Sequence, residues 1–155
     1  MRRTIGCSAV VVGCLAVIQP VSAVPALKDR EEAAALKKAT EDIQGAWYTV
    51  SIADRDSNTG EDKDDVIVYE GNKFIQKRNG QVWRTGTFQI VNATSNPKQI
   101  DYVCKMEGQA DMHFRAIFTV SADSLVGCCD HGENNRPTEF SGQAGFYRVA
   151  KRVKE

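Results

Sequence analysis

The chain has 155 residues with 20 basic and 20 acidic side chains, and its formal net charge at neutral pH is zero. This balance favours neither nucleic acid nor an anionic membrane surface as a partner. The hydrophobic fraction of 42% is that of an ordinary globular protein, and the length suits one domain better than two.

The first 23 residues are typical of a secretory leader. Met1-Arg2-Arg3 is positively charged, the stretch from Ile5 to Ile18 is mostly apolar, and Val21-Ser22-Ala23 ends in small residues. This order predicts a signal peptide over residues 1–23, cleaved after Ala23, and export to the periplasm or the cell exterior. The apolar stretch is shorter than the ~20 residues of a membrane-spanning helix, so no transmembrane span is expected.

Lipidation is the alternative to simple cleavage of this leader. Val11-Val12-Gly13-Cys14 fits the pattern in which a cysteine is lipidated and becomes the new N-terminus, which would anchor the protein through Cys14. The apolar residues that continue beyond Cys14 favour simple cleavage.

Cysteine usage argues against a disulfide framework. Cleavage after Ala23 leaves Cys104, Cys128 and Cys129, an odd number, so at least one thiol is unpaired outside the cytosol. Neighbouring residues of a strand point to opposite faces, which separates the side chains of Cys128 and Cys129. We expect three reduced, largely buried thiols.

Residues 24–44 are predicted to form a tether and a short helix, with the helix running from Lys28 to Gln44. Its central part consists of strong helix formers, with glutamate early and lysine later, as the helix dipole favours. Leu36, Ala39 and Ile43 form a narrow apolar stripe. We expect this stripe to pack against the base of the domain that follows.

The domain over residues 45–155 is predicted to be all-β. Short runs rich in Val, Ile, Thr and aromatic residues alternate with turn residues. The turn signal is strongest at Asn79-Gly80, and weaker signals lie at Glu70-Gly71-Asn72 and over residues 121–124. Eight strands joined mostly by short turns predict a closed up-and-down barrel. The strands are placed near 46–54, 65–70, 73–78, 81–91, 98–105, 113–121, 124–129 and 144–153.

Within the run over residues 113–121, alternation separates an inner from an outer face. Phe114, Ala116, Phe118 and Val120 share one face, which we expect to point into the barrel. Phe88, Phe114 and Phe118 are the bulky side chains predicted to occupy the interior.

Six short motifs occur in order along residues 40–153: Ile43-Gln44-Gly45-Ala46-Trp47, Tyr69-Glu70-Gly71-Asn72-Lys73-Phe74, Gly86-Thr87-Phe88, Pro97-Lys98-Gln99-Ile100-Asp101, the stretch from Ile117-Phe118 to Asp123-Ser124-Leu125, and Arg136-Pro137-Thr138-Glu139-Phe140. In their order and spacing the chain resembles the exported lipocalin-like domain family that is abundant in planctomycete bacteria. The resemblance implies an eight-stranded lipocalin-like barrel and no established activity. It is weaker at Cys128-Cys129, where members more often keep a single cysteine.

The resemblance also implies a structural role for the first motif. In lipocalin-like barrels the tryptophan of the first strand packs across the barrel floor, and a basic residue of the last strand lies over it. Gly45 and Trp47 would then form the barrel plug, with Arg148 as the cover.

The loop before the last strand supplies the candidate ligand-binding residues Arg136, Pro137, Glu139 and Phe140. Pro137 restricts the backbone, and an Arg136–Glu139 pair would hold the loop in place. The functional alternative is a lid or recognition patch over the barrel mouth. The structural pairing is the favoured interpretation, and both stay open at this stage.

An acidic loop suggests calcium, although the fit is poor. The stretch Asp54–Asp65 places oxygen ligands at alternating positions, as calcium loops do. The glycine falls one position late, and the twelfth residue is aspartate instead of a bidentate glutamate. A solvated acidic loop between strands is the favoured interpretation.

The sequence contains no recognisable catalytic or zinc motif. Gly-x-Ser-x-Gly, a phosphate-binding glycine loop and His-Glu-x-x-His are all absent from it. The soft side chains lack zinc-ligand spacing, and two adjacent cysteines cannot easily face one ion. No catalytic residue, metal or cofactor is therefore predicted. The side chains considered for zinc are Cys104, His113, Cys128, Cys129 and His131.

Two function classes remain for an exported, non-enzymatic barrel. The first is a binding module that takes a small apolar or amphipathic ligand, because eight-stranded barrels have room for one such molecule. The second is a structural or protein-interaction module of the cell envelope with a filled core. A contiguous apolar cavity would favour the first class, and a packed interior with an exposed apolar patch the second.

Overall fold

The computed structural model describes residues 27–55, 57–106, 108–130, 132 and 135–154. Within these residues one helix precedes nine strands, and eight of the strands form a closed antiparallel barrel. The predicted all-β lipocalin-like barrel with a preceding helix is thereby confirmed. The elements are α1 (Leu27–Ile43), β1 (Gly45–Asp54), β2 (Ser57–Thr59), β3 (Asp62–Glu70), β4 (Lys73–Arg78), β5 (Gln81–Asn92), β6 (Lys98–Lys105), β7 (Met112–Val120), β8 (Ser124–Cys129) and β9 (Phe146–Arg152).

The barrel is a simple meander. From β3 to β9 each strand is hydrogen-bonded to the next one along the chain, and β1 pairs with both β3 and β9, which closes the cylinder. Closure pairs the open edges of the sheet. The short β2 strand pairs only with the end of β1, as an extra hairpin formed from the acidic loop.

The predicted leader over residues 1–23, with Cys14, lies outside the described residues, as does the start of the tether. Among the described elements, α1 is too short and too polar to cross a membrane as a helix.

The three predicted turns are present. Asn79 and Gly80 have positive φ angles of 50° and 75°, as a type I′ turn requires, and they join β4 to β5. Gly71, with φ of 60°, turns the chain between β3 and β4. The turn over residues 121–124 is closed by a bond of 2.8 Å from the Ser121 amide to the Ser124 carbonyl.

Alternation along the strands separates the barrel interior from the outer surface. Ala116 and Phe118 of β7 are buried as expected for its inner face, and Phe88 of β5 is buried as well. Gly86 of β5 permits the close approach of β6, because a Cβ atom there would lie 2.1 Å from the Val103 carbonyl oxygen. The ring of Phe74 also lies within 3 Å of that Cβ position. The glycine therefore leaves the space that this ring occupies.

Helix α1 packs against the closed end of the barrel through its last two turns. Ala39 and Ile43 are buried, as the apolar stripe predicts. Leu36 is 43% exposed, so its predicted burial is wrong. The helix contacts β5 and β7, and its first turns, from Asp29 to Leu36, face the end of β5 across a surface groove.

Trp47 forms the floor of the barrel, as the resemblance implies. Its side chain is fully buried, and its Nε1 donates a hydrogen bond of 2.8 Å to the Ile43 carbonyl at the end of α1. Gly45 has a φ of +101°, a conformation that glycine adopts without strain. The chain thereby turns from the helix into β1 and carries Trp47 across the base.

The residue that covers Trp47 is Arg152, and the prediction of Arg148 is wrong. The Cζ atom of Arg152 lies 4.0 Å from the centroid of the indole ring. Both arginines face the interior of β9, four residues apart, but the register sets Arg152 opposite Trp47 and Arg148 opposite Ile52. Arg148 therefore lies higher in the barrel.

Arg152 also binds three main-chain carbonyls at the floor, at the end of α1 and in the β7–β8 turn. Its guanidinium donates to the carbonyls of Asp42 at 2.9 Å, Gln44 at 2.6 Å and Ala122 at 2.7 Å. The last carbonyls of a helix lack partners within it, and a cation is favourable there. One side chain thus joins α1, β9 and the β7–β8 turn.

We expect the substitution Trp47→Ala to lower the free energy of unfolding by about 3–5 kcal/mol, because it removes a buried ring and leaves a cavity. Urea unfolding followed by circular dichroism measures the change. The matched control is Trp83→Ala at the opposite end, where the side chain is 38% exposed and the loss should be less than half as large. An unchanged midpoint for Trp47→Ala would contradict its role as the floor.

Candidate functional site

A cavity of about 220 Å³ lies inside the barrel on the side of the floor that faces the open end. Its wall is mainly apolar, although Trp83, Arg84, Tyr102, Cys129 and Arg148 also contribute to it. The apolar side chains that line it include Ile67, Phe74, Phe114, Phe118, Leu125 and Phe146.

Aromatic packing fills the part of the interior beside this cavity. Tyr69 and Phe88 meet edge to face with centroids 5.3 Å apart, and Phe74 and Tyr102 do so at 5.5 Å. Phe114 and Phe118, predicted to occupy the interior, line the cavity and leave it open. The interior is therefore only partly filled by the bulky side chains that the sequence places there.

Asp65 is the centre of a polar network buried in the wall. Its carboxylate accepts hydrogen bonds from Thr49 Oγ1 at 3.1 Å, Gln76 Nε2 at 2.6 Å and an Arg148 Nη atom at 2.8 Å. A buried carboxylate is tolerated when it is paired and hydrogen-bonded in this way. The network links β1, β3, β4 and β9 across the interior.

Arg148 contributes positive charge to this network at the cavity wall. Burial lowers the pKa of Arg148, the neighbouring carboxylate of Asp65 raises it, and the positive charge of Arg84 lowers it again. Only 13% of its side chain is exposed. The charge of Arg148 is thus held in place mainly by Asp65.

A β-bulge places Trp83 at the rim of the cavity, next to Arg84. In the β4–β5 ladder Gln76 pairs with Arg84 and Lys77 with Val82, so Trp83 has no partner opposite it. Bulges of this kind redirect side chains and are common near functional sites. Trp83 lines the cavity and is also partly exposed, so it stands at the boundary with solvent.

The ring of Trp83 lies near two guanidinium groups. The Cζ atoms of Arg78 and Arg84 lie 3.7 Å and 4.7 Å from its centroid, within cation–π distance. Arg84 Nε donates a further bond of 2.7 Å to Gln76 Oε1. Trp83 and Gln76 therefore orient the Arg84 guanidinium.

Two tyrosine hydroxyls meet beside the cavity. Tyr69 Oη and Tyr102 Oη lie 3.0 Å apart, and one donates to the other. Burial raises the pKa of Tyr69 to about 12 and the pKa of Tyr102 well above its ordinary value. Both hydroxyls are therefore neutral at physiological pH, and the pair keeps one O–H that their mutual bond does not use.

The three cysteines are unpaired, as expected. Cys129 lines the cavity, whereas the Sγ of Cys128 lies on the outer side, 3.5 Å from the Ser141 carbonyl oxygen. Burial raises the pKa of all three thiols, and that of Cys129 to about 12. Neutral thiols are weak nucleophiles, which gives Cys129 the character of a small apolar wall residue.

Asp130 supplies a carboxylate at the cavity wall. Its backbone amide and its Oδ1 both bond to the main chain of Arg115, at 2.9 Å and 3.1 Å. Its Oδ2 is buried and has no hydrogen-bond partner among the described residues. An unpaired buried acceptor costs about 1–3 kcal/mol, so this oxygen is an unfavourable group in the wall.

The expected mouth loop is instead a strap across the outer surface of the barrel, so the predicted position of its four candidate residues is wrong. Arg136 donates to the carbonyls of Ile100 at 3.1 Å and Ala116 at 2.6 Å, and it forms an ion pair with Asp101. Asp101 alternates with the inward-facing Ile100 and Tyr102, which places this ion pair on the outside of β6. We call residues 135–145 the strap.

Other strap residues confirm this outer position. Pro137 is buried, and the Phe140 ring lies 6.4 Å from the ring of Tyr147, on the outer face of β9. Glu139 accepts a bond of 2.9 Å from Ser141, so the predicted Arg136–Glu139 pair is replaced by Arg136–Asp101. The lid interpretation is therefore wrong, and a structural role for Arg136 is supported with a different partner.

The metal alternatives gain no support from the described residues. Asp65 is turned into the barrel toward Arg148, and residues 57–59 of the acidic loop form β2. Cys128 and Cys129 lie on opposite faces of β8, while Asp56 and His131 lie outside the described residues. In the part of the chain that is described, no three His, Cys, Asp or Glu side chains come together as a metal site.

Sequence reasoning missed the interior polar residues Asp65, Gln76 and Arg84. Alternation could have identified all three, because Asp65 shares its face with Ile67, and Gln76 shares its face with Phe74. Arg84 shares the inward face of β5 with Phe88, since the register shift lies beyond it, at Trp83. The bulge itself, which brings Trp83 to the cavity, has no local signal in β5.

Comparison of the chain with protein-family models, with curated proteins and with solved structures gave no match. The function of the cavity has therefore to be argued from its own residues.

The strap predicts a measurable loss of stability for Arg136→Ala. Removing three hydrogen bonds, one of them to a carboxylate, should lower the free energy of unfolding by about 1.5–3 kcal/mol. Urea unfolding of this variant is compared with that of Glu139→Ala, which removes an exposed charge and should change stability by less than about 0.5 kcal/mol. A larger loss for Glu139→Ala than for Arg136→Ala would contradict the pairing described above.

The cysteines predict a thiol count and a pH dependence. Residues 24–155 should titrate as three free thiols with Ellman's reagent in denaturant and react slowly in the native state at pH 8. Because the pKa of Cys129 is about 12 in the folded state against an ordinary 9.0, the neutral thiol favours folding most below pH 9. This contribution should be lost as the pH rises from 9 toward 12. Fewer than three thiols in non-reducing denaturant would contradict the unpaired state.

Proposed function

We propose that this protein is an exported, non-enzymatic barrel that binds one small amphipathic molecule in its cavity. The observation that carries the proposal is the unfilled space of about 220 Å³ in a barrel that is otherwise packed. Trp47 closes one end of the barrel, and the partly exposed Trp83 borders the cavity at the other. Ligand sites are typically concave and mostly apolar, with a few polar groups placed among the apolar ones.

The volume limits the size of the ligand. An apolar cavity of about 150 Å³ holds benzene, so about 220 Å³ corresponds to roughly nine non-hydrogen atoms on the same scale. Pockets for drug-sized molecules are larger, about 300–1,000 Å³. A short alkyl chain or a single aromatic ring, each with one polar end, fits a cavity of this volume.

The character of the wall supports an amphipathic ligand over a purely apolar one. Phe114, Phe118 and Leu125 offer an apolar surface to a hydrocarbon body. Arg84 offers a polar group whose terminal nitrogens have no acceptor among the described residues. A molecule with one polar end can contact both kinds of surface.

The other function classes have less support. A structural module with a filled barrel does not account for the cavity. The raised pKa of the Cys129 thiol disfavours nucleophilic catalysis, because a neutral thiol is a weak nucleophile. Export rests on the leader over residues 1–23, and membership of the planctomycete lipocalin-like family stays a prediction from the resemblance.

Filling the cavity tests the proposal. Gly127 lines it, and a Cβ atom there would have no heavy atom nearer than the Ile117 carbonyl oxygen at 3.9 Å, so the side chain of Gly127→Leu has room to enter. We expect a molecule retained by the protein from its own host, detected by native mass spectrometry, to be lost from Gly127→Leu. The matched control, Val126→Leu, adds volume at the neighbouring outward position and should retain it.

The folding of both variants is checked by thermal unfolding, and filling an apolar space should leave the midpoint equal or higher. Retention of the molecule by Gly127→Leu would place binding outside the cavity. If neither the wild-type protein nor Val126→Leu retains a molecule or binds the small amphiphiles described below, the proposal fails.

A further inference from the structure

The polar wall of the cavity carries more positive than negative charge. Three guanidinium groups, those of Arg78, Arg84 and Arg148, lie on or near this wall, against two carboxylates: Asp65, which faces them, and Asp130. Arg78 lies 3.9 Å from Asp65 and is 41% exposed, so solvent screens much of its charge. The charges of Arg84 and Arg148 are the ones that the cavity itself must accommodate.

Asp65 is already occupied by other donors. Its two oxygens accept bonds from Thr49, Gln76 and Arg148, and Arg84 does not donate to either of them. Gln76 stands between the two, since its Nε2 donates to Asp65 and its Oε1 accepts from Arg84 Nε. Arg84 is therefore positioned by the network while its charge is not neutralised by it.

The terminal nitrogens of Arg84 have no acceptor among the described residues. Its contacts there are the Nε bond to Gln76 and the stacking on Trp83. These two contacts restrict the plane of the guanidinium and leave its outer edge with Nη1 and Nη2 available. A guanidinium whose terminal nitrogens lack an acceptor attracts an anion, and a carboxylate at this edge would form charge-assisted hydrogen bonds with it.

Given the proposed function, on which this inference rests, the geometry points to a small monoanionic amphiphile as the ligand, with a carboxylate bound at the outer edge of Arg84 and its apolar body against Phe114, Phe118 and Leu125. The planar fork of a guanidinium matches the two oxygens of a carboxylate, which favours this head group over an alcohol. A bound anion would also reduce the repulsion between the charges of Arg148 and Arg84.

Asp130 limits the charge of the ligand. This residue lines the same cavity, and its negative charge would repel a second anionic group. An ammonium group would instead be attracted to it. A ligand that binds through Asp130 alone would therefore be neutral or cationic. The charge of the ligand that binds most tightly thus distinguishes Asp130 from Arg84 as the anchor.

Isothermal titration calorimetry at pH 7.5 with four probes of equal chain length tests the inference: octanoate, octyl sulfate, 1-octanol and octylamine. Octanoate, 1-octanol and octylamine have about nine or ten non-hydrogen atoms, close to the number that the cavity volume allows, whereas octyl sulfate has a larger head group. We expect wild-type protein to bind octanoate at least tenfold more tightly than 1-octanol. Octyl sulfate reports whether a carboxylate is preferred over another monoanionic head group.

Variants at Arg84 locate the head group. Arg84→Gln should reduce the affinity for octanoate to that for 1-octanol and leave the 1-octanol affinity within about twofold, whereas Arg84→Lys should restore part of the preference because it keeps the charge without the fork. The matched control is Lys77→Gln, which removes an exposed positive charge from the outer face of β4 beside Gln76. It should leave all four affinities unchanged. Near-ultraviolet circular dichroism confirms that each variant is folded.

The outcomes separate this inference from the proposed function. Equal binding of octanoate and 1-octanol, both lost in Gly127→Leu, would leave the cavity as a ligand site and overturn the anionic head group. Tightest binding of octylamine would overturn it in favour of Asp130 as the anchor. Loss of the octanoate preference in Lys77→Gln as well would reduce it to a general charge effect. Binding of none of the four would remove the proposed function together with the inference.

Discussion

The guanidinium of Arg152 stacked on Trp47 is the contact on which the rest of the barrel depends. It lies 4.0 Å from the indole centroid and binds carbonyls at the end of α1 and in the β7–β8 turn. One cation thus satisfies helix-terminal carbonyls, covers the floor and fastens the last strand to the first. Because Gly45 turns the chain directly into β1, closing the floor also sets where the barrel interior begins.

Closure of one end explains why the interior can hold an open, partly polar space at the other. The strap binds the outer surface through Arg136 and Asp101, so it stabilises β6 and β7 without occupying the mouth. Inside, Asp65 is satisfied by its neighbours, and the charge of Arg84 remains without a carboxylate partner among the described residues. The ion pair between Arg136 and Asp101 therefore stabilises the barrel from its outer surface, whereas the guanidinium of Arg84 faces the cavity and is available to a ligand.

Much of the barrel could be predicted because its signals are local. Asn79-Gly80 has the chemistry that a type I′ turn requires, and alternation along β7 places Phe118 inside. Leu36 shows the limit of this reasoning. Its place in the apolar stripe of α1 predicts burial, but the stripe does not indicate which of its residues contact the barrel. For Arg136 the sequence predicts a staple but not its acceptor, because Asp101 lies 35 residues away and is brought close only by the β6–β7 pairing.

The sequence by itself determined the all-β class, the order of the strands, the turns and the face of each regular strand, since these follow from residue type and a period of two. Only the tertiary structure decided which of two inward arginines meets Trp47, because the β1–β9 register is set by closure of the whole cylinder. It likewise decided that Trp83 borders the cavity, through a bulge that leaves this residue without a partner on β4. Register and bulges depend on partners distant in the chain, and no local pattern encodes them.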